Sequence, residues 1–249
     1  MRCAIVYKAP ELKERVGNFL NELGVITEFF AKPSRDLESF DFIVTIGGDG
    51  TILSVLQEIR DCPPIFGINT GKVGILTHAK PEEFEVHLKE AVEKFEVEEF
   101  TRLECECDGG EFLALNEVAF LTRERGKLMR VTIRIDGEEV DSLRCDGVVA
   151  STQIGSTAYA FSLGGPVVDP YLECILIVPI APFRFGWKPI VIRSDRVVDF
   201  ESESSIAVID GKRFVETNEV FVRKSDFPAV FFAKKKRFMR TFHTIRRIE

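Results

Sequence analysis

Histidine is scarce in this chain: His78, His87 and His243 are the whole supply, and they show no metal-ligand spacing. The six cysteines, Cys3, Cys62, Cys105, Cys107, Cys145 and Cys174, contain no C-x-x-C pair, so free thiols in a reducing cytoplasm are expected. Cys105 and Cys107, if they lie in a strand, are read as pointing to opposite sides. Positive charge is in deficit as well. A net charge of −7 and a pI of about 5.3 argue against nucleic acid as the main partner, because binding phosphates over a large surface needs clustered cations. The longest apolar, uncharged stretch, residues 174–183, falls far short of the ~20 residues a membrane span needs. The run Met1–Tyr7 is too short for a signal peptide. These absences predict a soluble, cytoplasmic protein with neither nucleic-acid nor membrane partners. No internal repeat, low-complexity tract or long Pro/Ser/Gly linker interrupts the chain.

What is present centres on Asp41-Phe42-Ile43-Val44-Thr45-Ile46-Gly47-Gly48-Asp49-Gly50-Thr51. An apolar run ends in three glycines around one carboxylate, and a helical pattern follows at Ile52, Leu53, Val55, Leu56 and Ile59. The spacing predicts strand, tight turn and helix, the helix over about 51–60. Glycines let a ligand come close to the main chain, and a helix start offers N–H groups and a positive dipole end to an anion. A carboxylate there repels phosphate unless a metal ion or a hydroxyl proton intervenes, which points to phosphoryl transfer onto an alcohol. The spacing is neither the dinucleotide fingerprint nor the P-loop.

Upstream, residues 3–7 and 25–30 read as strands around a helix at 11–23 that Gly24 terminates. Downstream, Cys62-Pro63-Pro64 breaks the pattern before a short strand at 65–68. The turn Asn69–Gly74 is a candidate second wall of the site, with Lys72 a possible phosphate contact. Pro81 suits a helix start, and Phe84, Leu88, Val92 and Phe95 mark its apolar stripe. Alternating strands and helices imply an α/β N-terminal domain with a parallel sheet, its ligands beyond the carboxyl ends of the strands. From about residue 97 short alternating segments take over, with hairpin signals at Asp136-Gly137 and Asp210-Gly211. The expected organisation is an α/β domain over 1–96, completed by about 227–249, and a β-rich, sandwich-like domain over 97–226. The two are expected to abut and enclose a cleft. The C-terminal tail is expected to return to the first domain through a strand at 228–233 and a helix at 238–248. Lys234–Arg237 reads as a solvated run or as a partner for the acidic helix at 82–99.

Two further constellations carry polar chemistry. Asn116-Glu117 offers donors and acceptors suited to ribose hydroxyls. Arg144 to Pro166 is rich in glycine and hydroxyls, and predicts a strand at 147–151, a small-residue turn and a short helix from Ser156. These stretches, with Gly47–Thr51, resemble the signatures of NAD kinases: Gly-Gly-Asp-Gly-Thr, Asn-Glu, and an Asp-Gly strand leading to Gly-Ser-Thr-Ala-Tyr and Gly-Gly-Pro. The first signature is shared with lipid kinases and, more loosely, phosphofructokinases; the last is not.

The resemblance implies transfer of a phosphoryl group from ATP or polyphosphate to the 2′-hydroxyl of the adenosine ribose of NAD, giving NADP. It implies Asp49 as proton acceptor with Gly50 beside the acceptor ribose. Asn116 and Glu117 fall on adenosine-side hydroxyls, and Thr157, Ala158, Tyr159 and Ser162 on the adenine side. Arg144 and Asp146 fall at the nicotinamide end, partly across a subunit interface, and Lys127 and Ala181 at looser contacts. Ile154 belongs to the substrate-binding set but is a departure, since Gln153-Ile154 replaces the usual Pro-Thr. Residues 183–187 are also unusual, with Phe183 where the family has His. A divalent ion, Mg²⁺, and a homo-oligomer, dimer or tetramer, are implied too. A lipid or sugar kinase of the same glycine-turn superfamily and a non-enzymatic nucleotide sensor are the alternatives.

Overall fold

The chain, described here from a computed structural model that places residues 1–124, 126–184 and 186–234, divides into two compact units. Unit 1 is Met1–Glu99 with Phe227–Glu249, and unit 2 is Phe100–Asp226. The expected helix at 238–248 and most of the basic run at 234–237 lie outside the described residues.

Unit 1 is built on one sheet of β1 (Arg2–Tyr7), β2 (Ile26–Phe30), β3 (Phe42–Gly47), β4 (Ile65–Asn69), β5 (Val97–Phe100) and β18 (Ala229–Phe232). The strand order is β2-β1-β3-β4-β18-β5, and β1 to β4 run parallel. β3 and β4 are buried at every residue, which is why both read as unbroken apolar runs. The order reverses direction at β1, so the chain leaves β1 and β3 on either side of a topological switch point. Helix α1 (Pro10–Glu22) buries Val16, Gly17 and Leu20 against the sheet. It ends in a Schellman motif: Gly24, at φ +76°, donates to the Asn21 carbonyl and Val25 to the Leu20 carbonyl.

Helix α2 (Asp49–Leu56) begins two residues earlier and ends four earlier than its apolar pattern predicts. Gly48 is its extended N-cap, so the carboxylate belongs to the helix rather than to the turn. Ile59 is buried beyond its end, which stretched the apolar pattern past the last helical turn. Helix α3 (Phe84–Lys94) starts three residues after Pro81 and buries Phe84, Leu88 and Val92. The tail re-enters the unit as β18, which pairs parallel to β4 through Phe231 and Ile65. There Phe232 packs edge-on against Phe42 and Phe66. His78 is wedged beside them, its Nδ1 accepting from the Gly67 amide at 3.0 Å and its Nε2 lying 2.9 Å from the Phe232 carbonyl oxygen.

Unit 2 is a sandwich of two antiparallel sheets. The first contains β6 (Leu103–Cys107), β7 (Gly110–Ala114), β9 (Met129–Ile135), β10 (Glu138–Cys145), β14 (Val198–Glu201) and β17 (Glu219–Lys224), ordered β10-β9-β14-β17-β6-β7. The second contains β8 (Glu117–Thr122), β11 (Gly147–Thr152), β12 (Cys174–Ile180), β13 (Ile190–Arg193), β15 (Ser205–Ile209) and β16 (Arg213–Glu216), ordered β13-β12-β11-β8-β15-β16. Alternate residues of both sheets meet in one core, among them Val131, Ile133 and Phe200 from the first and Phe120, Val148 and Ile177 from the second. The other face of the second sheet is covered by the short helix α4 (Tyr159–Ser162), where Ala160 packs on Val149 and Leu176. Both hairpin signals form hairpins, with Asp136-Gly137 at φ +53° and +80° and Asp210-Gly211 at +48° and +63°.

All six cysteines are free thiols. The expectation for Cys105 and Cys107 is corrected: both belong to β6 and both pack on the sandwich core. Side chains alternate along a strand with period two, so residues two apart share a face.

Candidate functional site

In unit 1 the site grows from the carboxyl ends of β3 and β4. Gly47 is required by packing, since a Cβ there would lie 2.1 Å from the Thr51 hydroxyl, whereas one on Gly48 would meet open space. The Gly48 side is thus where a ligand finds bare backbone. The Thr51 amide donates to the Gly48 carbonyl at 2.9 Å, and the amides ahead of it have no intrahelical carbonyl to bind, as at any helix start. The loop after β4 closes on this turn: the Thr70 amide donates to the Gly47 carbonyl at 3.2 Å.

That same loop takes hold of Asp49. The Ile75 amide donates to one carboxylate oxygen at 2.9 Å and the Leu76 amide to the other at 3.0 Å. Gly74 makes this possible. It sits at φ +74°, and a Cβ on it would collide with the Asn69 side chain at 2.2 Å. Asn69 in turn accepts from the Gly71 amide at 2.9 Å. A carboxylate has about four lone-pair sites. Two are used, so Asp49 is oriented by the main chain and keeps acceptor capacity for a hydroxyl. Gly50 follows it in the first turn of α2. Lys72 is exposed on this loop. A cavity of about 360 Å³ opens at the same end of the sheet, bordered by Asn69, Thr70, Gly71 and Lys80.

In unit 2 the chain changes sheets at Leu115-Asn116, leaving β7 in one layer and starting β8 in the other. This break turns an alternating stretch into a place where polar neighbours converge. Asp210 pins it. Its carboxylate accepts from the amides of Leu115 at 2.8 Å, Asn116 at 2.7 Å and Glu117 at 3.0 Å. The end of β11 locks on from the other side. The Thr152 amide and the Ser151 hydroxyl donate to the Asn116 carbonyl, and the Thr152 hydroxyl donates to the Leu115 carbonyl at 2.6 Å. Gly155 has no alternative here, because a Cβ on it would sit 2.1 Å from the Asn116 carbonyl oxygen. Ser156 is fully buried, and its hydroxyl accepts from the Val168 amide, tying the Gly-Ser-Thr turn to the segment after Gly164-Gly165.

Glu117 is 7% exposed, and its Oε2 has no hydrogen-bond partner among the described residues. Burial first, then the nearby Asp210 charge, push its carboxyl up to about 8, while the Tyr159 amide pulls the other way. Near neutral pH Glu117 is therefore protonated and able to donate. Tyr159 is half-exposed at the start of α4, its hydroxyl held above the usual tyrosine range by burial and by Glu117 and Asp146. Asn116, Glu117, Asp146 and Tyr159 thus belong to one neighbourhood.

The other predicted residues are more dispersed. Ile154 is buried and accepts from the Thr157 hydroxyl at 3.3 Å through its carbonyl. Ala158 joins the turn to α4, and Ser162 ends it. Ala181 is exposed at φ +45°. Lys127 is exposed and paired with Glu124. Sequence reading missed Asp210, Ile75 and Leu76. The Asp-Gly hairpin signal could have flagged Asp210, but only as a turn residue. The two amides carry no side-chain signature at all.

Comparison with known proteins adds to this geometry. The ATP-NAD kinase N-terminal domain pattern matches residues 14–96 and the ATP-NAD kinase C-terminal domain pattern matches residues 115–233. An NAD kinase of Archaeoglobus fulgidus is 55% identical over 249 residues, covering 100% of both chains. The chain belongs to the NAD kinase family. An NAD kinase of Methanothermobacter thermautotrophicus is 39% identical over 94% of this chain and 90% of its own. A crystal structure described as an NAD kinase from Archaeoglobus fulgidus in complex with ATP superposes with a TM-score of 0.96, at 55% identity and full coverage of both chains. The yeast NADH kinase complexed with NADH, at 21% identity and a TM-score of 0.85, covers 88% of its own chain and shares the fold. The lipid- or sugar-kinase and sensor alternatives are not favoured by these relatives.

Family membership frames the two departures. Gln153 is 2% exposed, with its side-chain oxygen unpartnered among the described residues. The unusual segment around Phe183 is fastened to β10. The Trp187 indole N–H donates to Asp141 at 2.9 Å, Arg184 pairs with the same carboxylate at 3.1 Å, and the Arg144 guanidinium lies 5.4 Å over the Phe183 ring.

Proposed function

We propose that this chain is an NAD kinase that moves a phosphoryl group from ATP to the 2′-hydroxyl of the adenosine ribose of NAD, giving NADP. The observation that carries this reading is Asp49, an acid at the start of a helix, held by two main-chain amides beside open glycine backbone. Phosphoryl transfer asks little covalent chemistry of a protein and much positioning. Asp49 receives the hydroxyl, orients it and accepts its proton late, with Gly50 beside the sugar.

In unit 2, Asn116 and Glu117 take the adenosine-side hydroxyls, and Ile154, Thr157, Ala158, Tyr159 and Ser162 the adenine side. Arg144 and Asp146 serve the nicotinamide end, with Lys127 and Ala181 at the margins. A protonated Glu117 donates where an ionised one only accepts, which suits a site that must match hydroxyls of both polarities. The family also implies a divalent ion, and Mg²⁺ suits the chemistry. The free lone pairs of Asp49 fit it, because Mg²⁺ settles for one or two carboxylates plus substrate phosphates. When bound, it would neutralise charge on the donor phosphates. Polyphosphate as a second donor, a homo-oligomeric assembly and a cytoplasmic location complete the reading.

The test is an assay of purified chain with NAD, Mg²⁺ and a panel of donors, NADP being read by a coupled dehydrogenase. NADP formed from ATP is expected. NAD binding without NADP from any donor would return the sensor reading, and no thermal shift with NAD or NADP would return the lipid- or sugar-kinase reading.

A further inference from the structure

Lys234 follows β18 directly. Its ammonium donates to the Thr77 carbonyl at 2.7 Å and to the Ile75 carbonyl at 3.3 Å. The same few residues supply the amides that hold Asp49, at Ile75 and Leu76. The peptide group between Ile75 and Leu76 therefore has its oxygen on the Lys234 cation and its N–H on the Asp49 carboxylate. Hydrogen bonds arranged head to tail through one amide polarise each other, and a cation on the carbonyl strengthens the N–H as a donor. Leu76 and Thr77 are each 4% exposed and Asp49, Ile75 and Lys234 are part-buried, so bulk water screens this exchange only in part. The start of the loop is tied by Thr70 to Gly47 and by Gly71 to Asn69, and Gly74 enters its Ile75–Thr77 part at φ +74°. The Lys234 amide is itself fixed, donating to Glu98 at 3.1 Å.

We propose that Lys234 is a positioning residue for phosphoryl transfer, acting through the Ile75–Leu76 peptide on Asp49. The tail strand thereby sets the aim of the acid at the carboxyl end of the same sheet. This rests on the reading of Asp49 as the proton acceptor. Losing the cation frees the two carbonyls, loosens the loop and lets the carboxylate swing from its aligned pose, while the groups that hold NAD and ATP stay in place.

The test compares Lys234→Met, Lys234→Arg and Glu98→Gln with the wild-type full-length chain, following kcat, KM for NAD and ATP, and Tm. Lys234→Met is expected to lower kcat by about tenfold with both KM values unchanged, a small misplacement of a reacting group being costly. Lys234→Arg, which restores a cationic donor, is expected to recover most of that loss. Glu98→Gln, which alters the partner of the Lys234 amide and leaves the ammonium in place, is expected to keep wild-type kcat. If Lys234→Met does not fold, Lys234→Gln replaces it, keeping a donor and dropping the charge. Added to Asp49→Asn, the Lys234 change is expected to cost no further turnover, because the two act as one unit. A kcat within twofold of wild type in Lys234→Met, an equal loss in Glu98→Gln, or additive losses with Asp49→Asn would each overturn the proposal. Wild-type turnover in Asp49→Asn would instead sink the Asp49 reading itself.

Discussion

Asp49 and Glu117 are both acids on the first residue of an element, one opening α2 in unit 1 and the other opening β8 in unit 2. Their surroundings divide them. Asp49 faces two amides that a carboxylate can only accept from. Glu117 has an oxygen with no partner among the described residues and a neighbour, Asp210, that takes the local amides for itself. Burial and the Asp210 charge set Glu117 apart, while main-chain amides orient Asp49. Asp49 keeps open lone pairs for a hydroxyl donor, whereas the Glu117 carboxyl is pushed up to about 8, first by burial.

Asp49→Asn cuts deepest into the comparison. On the proposed role of Asp49, the change keeps the shape and removes the group that accepts the proton, so turnover is expected to fall by about 10²–10⁴-fold with NAD affinity, measured by calorimetry, little changed. Turnover within a few-fold of wild type would leave the two acids without distinct roles. Asp210→Asn comes next. Asparagine tolerates the positive φ of 48°, so the change isolates the loss of an ionised acceptor for three amides. A loss of about 3 kcal/mol in urea unfolding is expected, with weaker NAD binding because Asn116 and Glu117 lose their anchor.

Glu117→Gln has the smallest effect and the most telling one. The folded carboxyl is raised to about 8 from the ordinary glutamate value of 4.5. Between those values the unfolded chain has released its proton and the folded chain has not, so wild-type stability falls as pH rises through this window. Glutamine removes that slope. Relative to wild type the variant is expected to gain on the order of 2 kcal/mol between pH 5 and pH 8, read from paired unfolding curves. Parallel pH profiles would mean that Glu117 is solvated and ionised like any surface acid.

What could be read from the sequence was local. Gly47 to Thr51 follow an apolar run within a few residues, and Asp136-Gly137 and Asp210-Gly211 state their own backbone geometry, so the strand-turn-helix and both hairpins were legible. The alternation of β8, β9 and β10 and the return of the tail strand were legible for the same reason. The supports of the site were not. Asp210 reaches residues 115–117 across more than ninety positions, with |i−j| of 93 to 95, and nothing near it in sequence announces that reach. Ile75 and Leu76 act through amides that every residue has. Lys234 looked like the first member of a solvated basic run because its neighbours are lysines, whereas its ammonium lies on two loop carbonyls. Cys105 and Cys107 failed on simple strand geometry, not on missing information.

The interruption of unit 1 by the whole of unit 2 governs the order in which this protein can be made. β18 occupies the place between β4 and β5, yet it is synthesised more than a hundred residues after both. Residues 100–226 have all left the ribosome before the parallel sheet can receive that strand. A nascent chain stalled before residue 229 therefore carries a finished sandwich attached to a sheet with a slot still open, exposing Phe42 and Phe66 where Phe232 will later pack. On the proposed reading of Lys234, Asp49 acquires its full support only once β18 and the residue after it have left the exit tunnel.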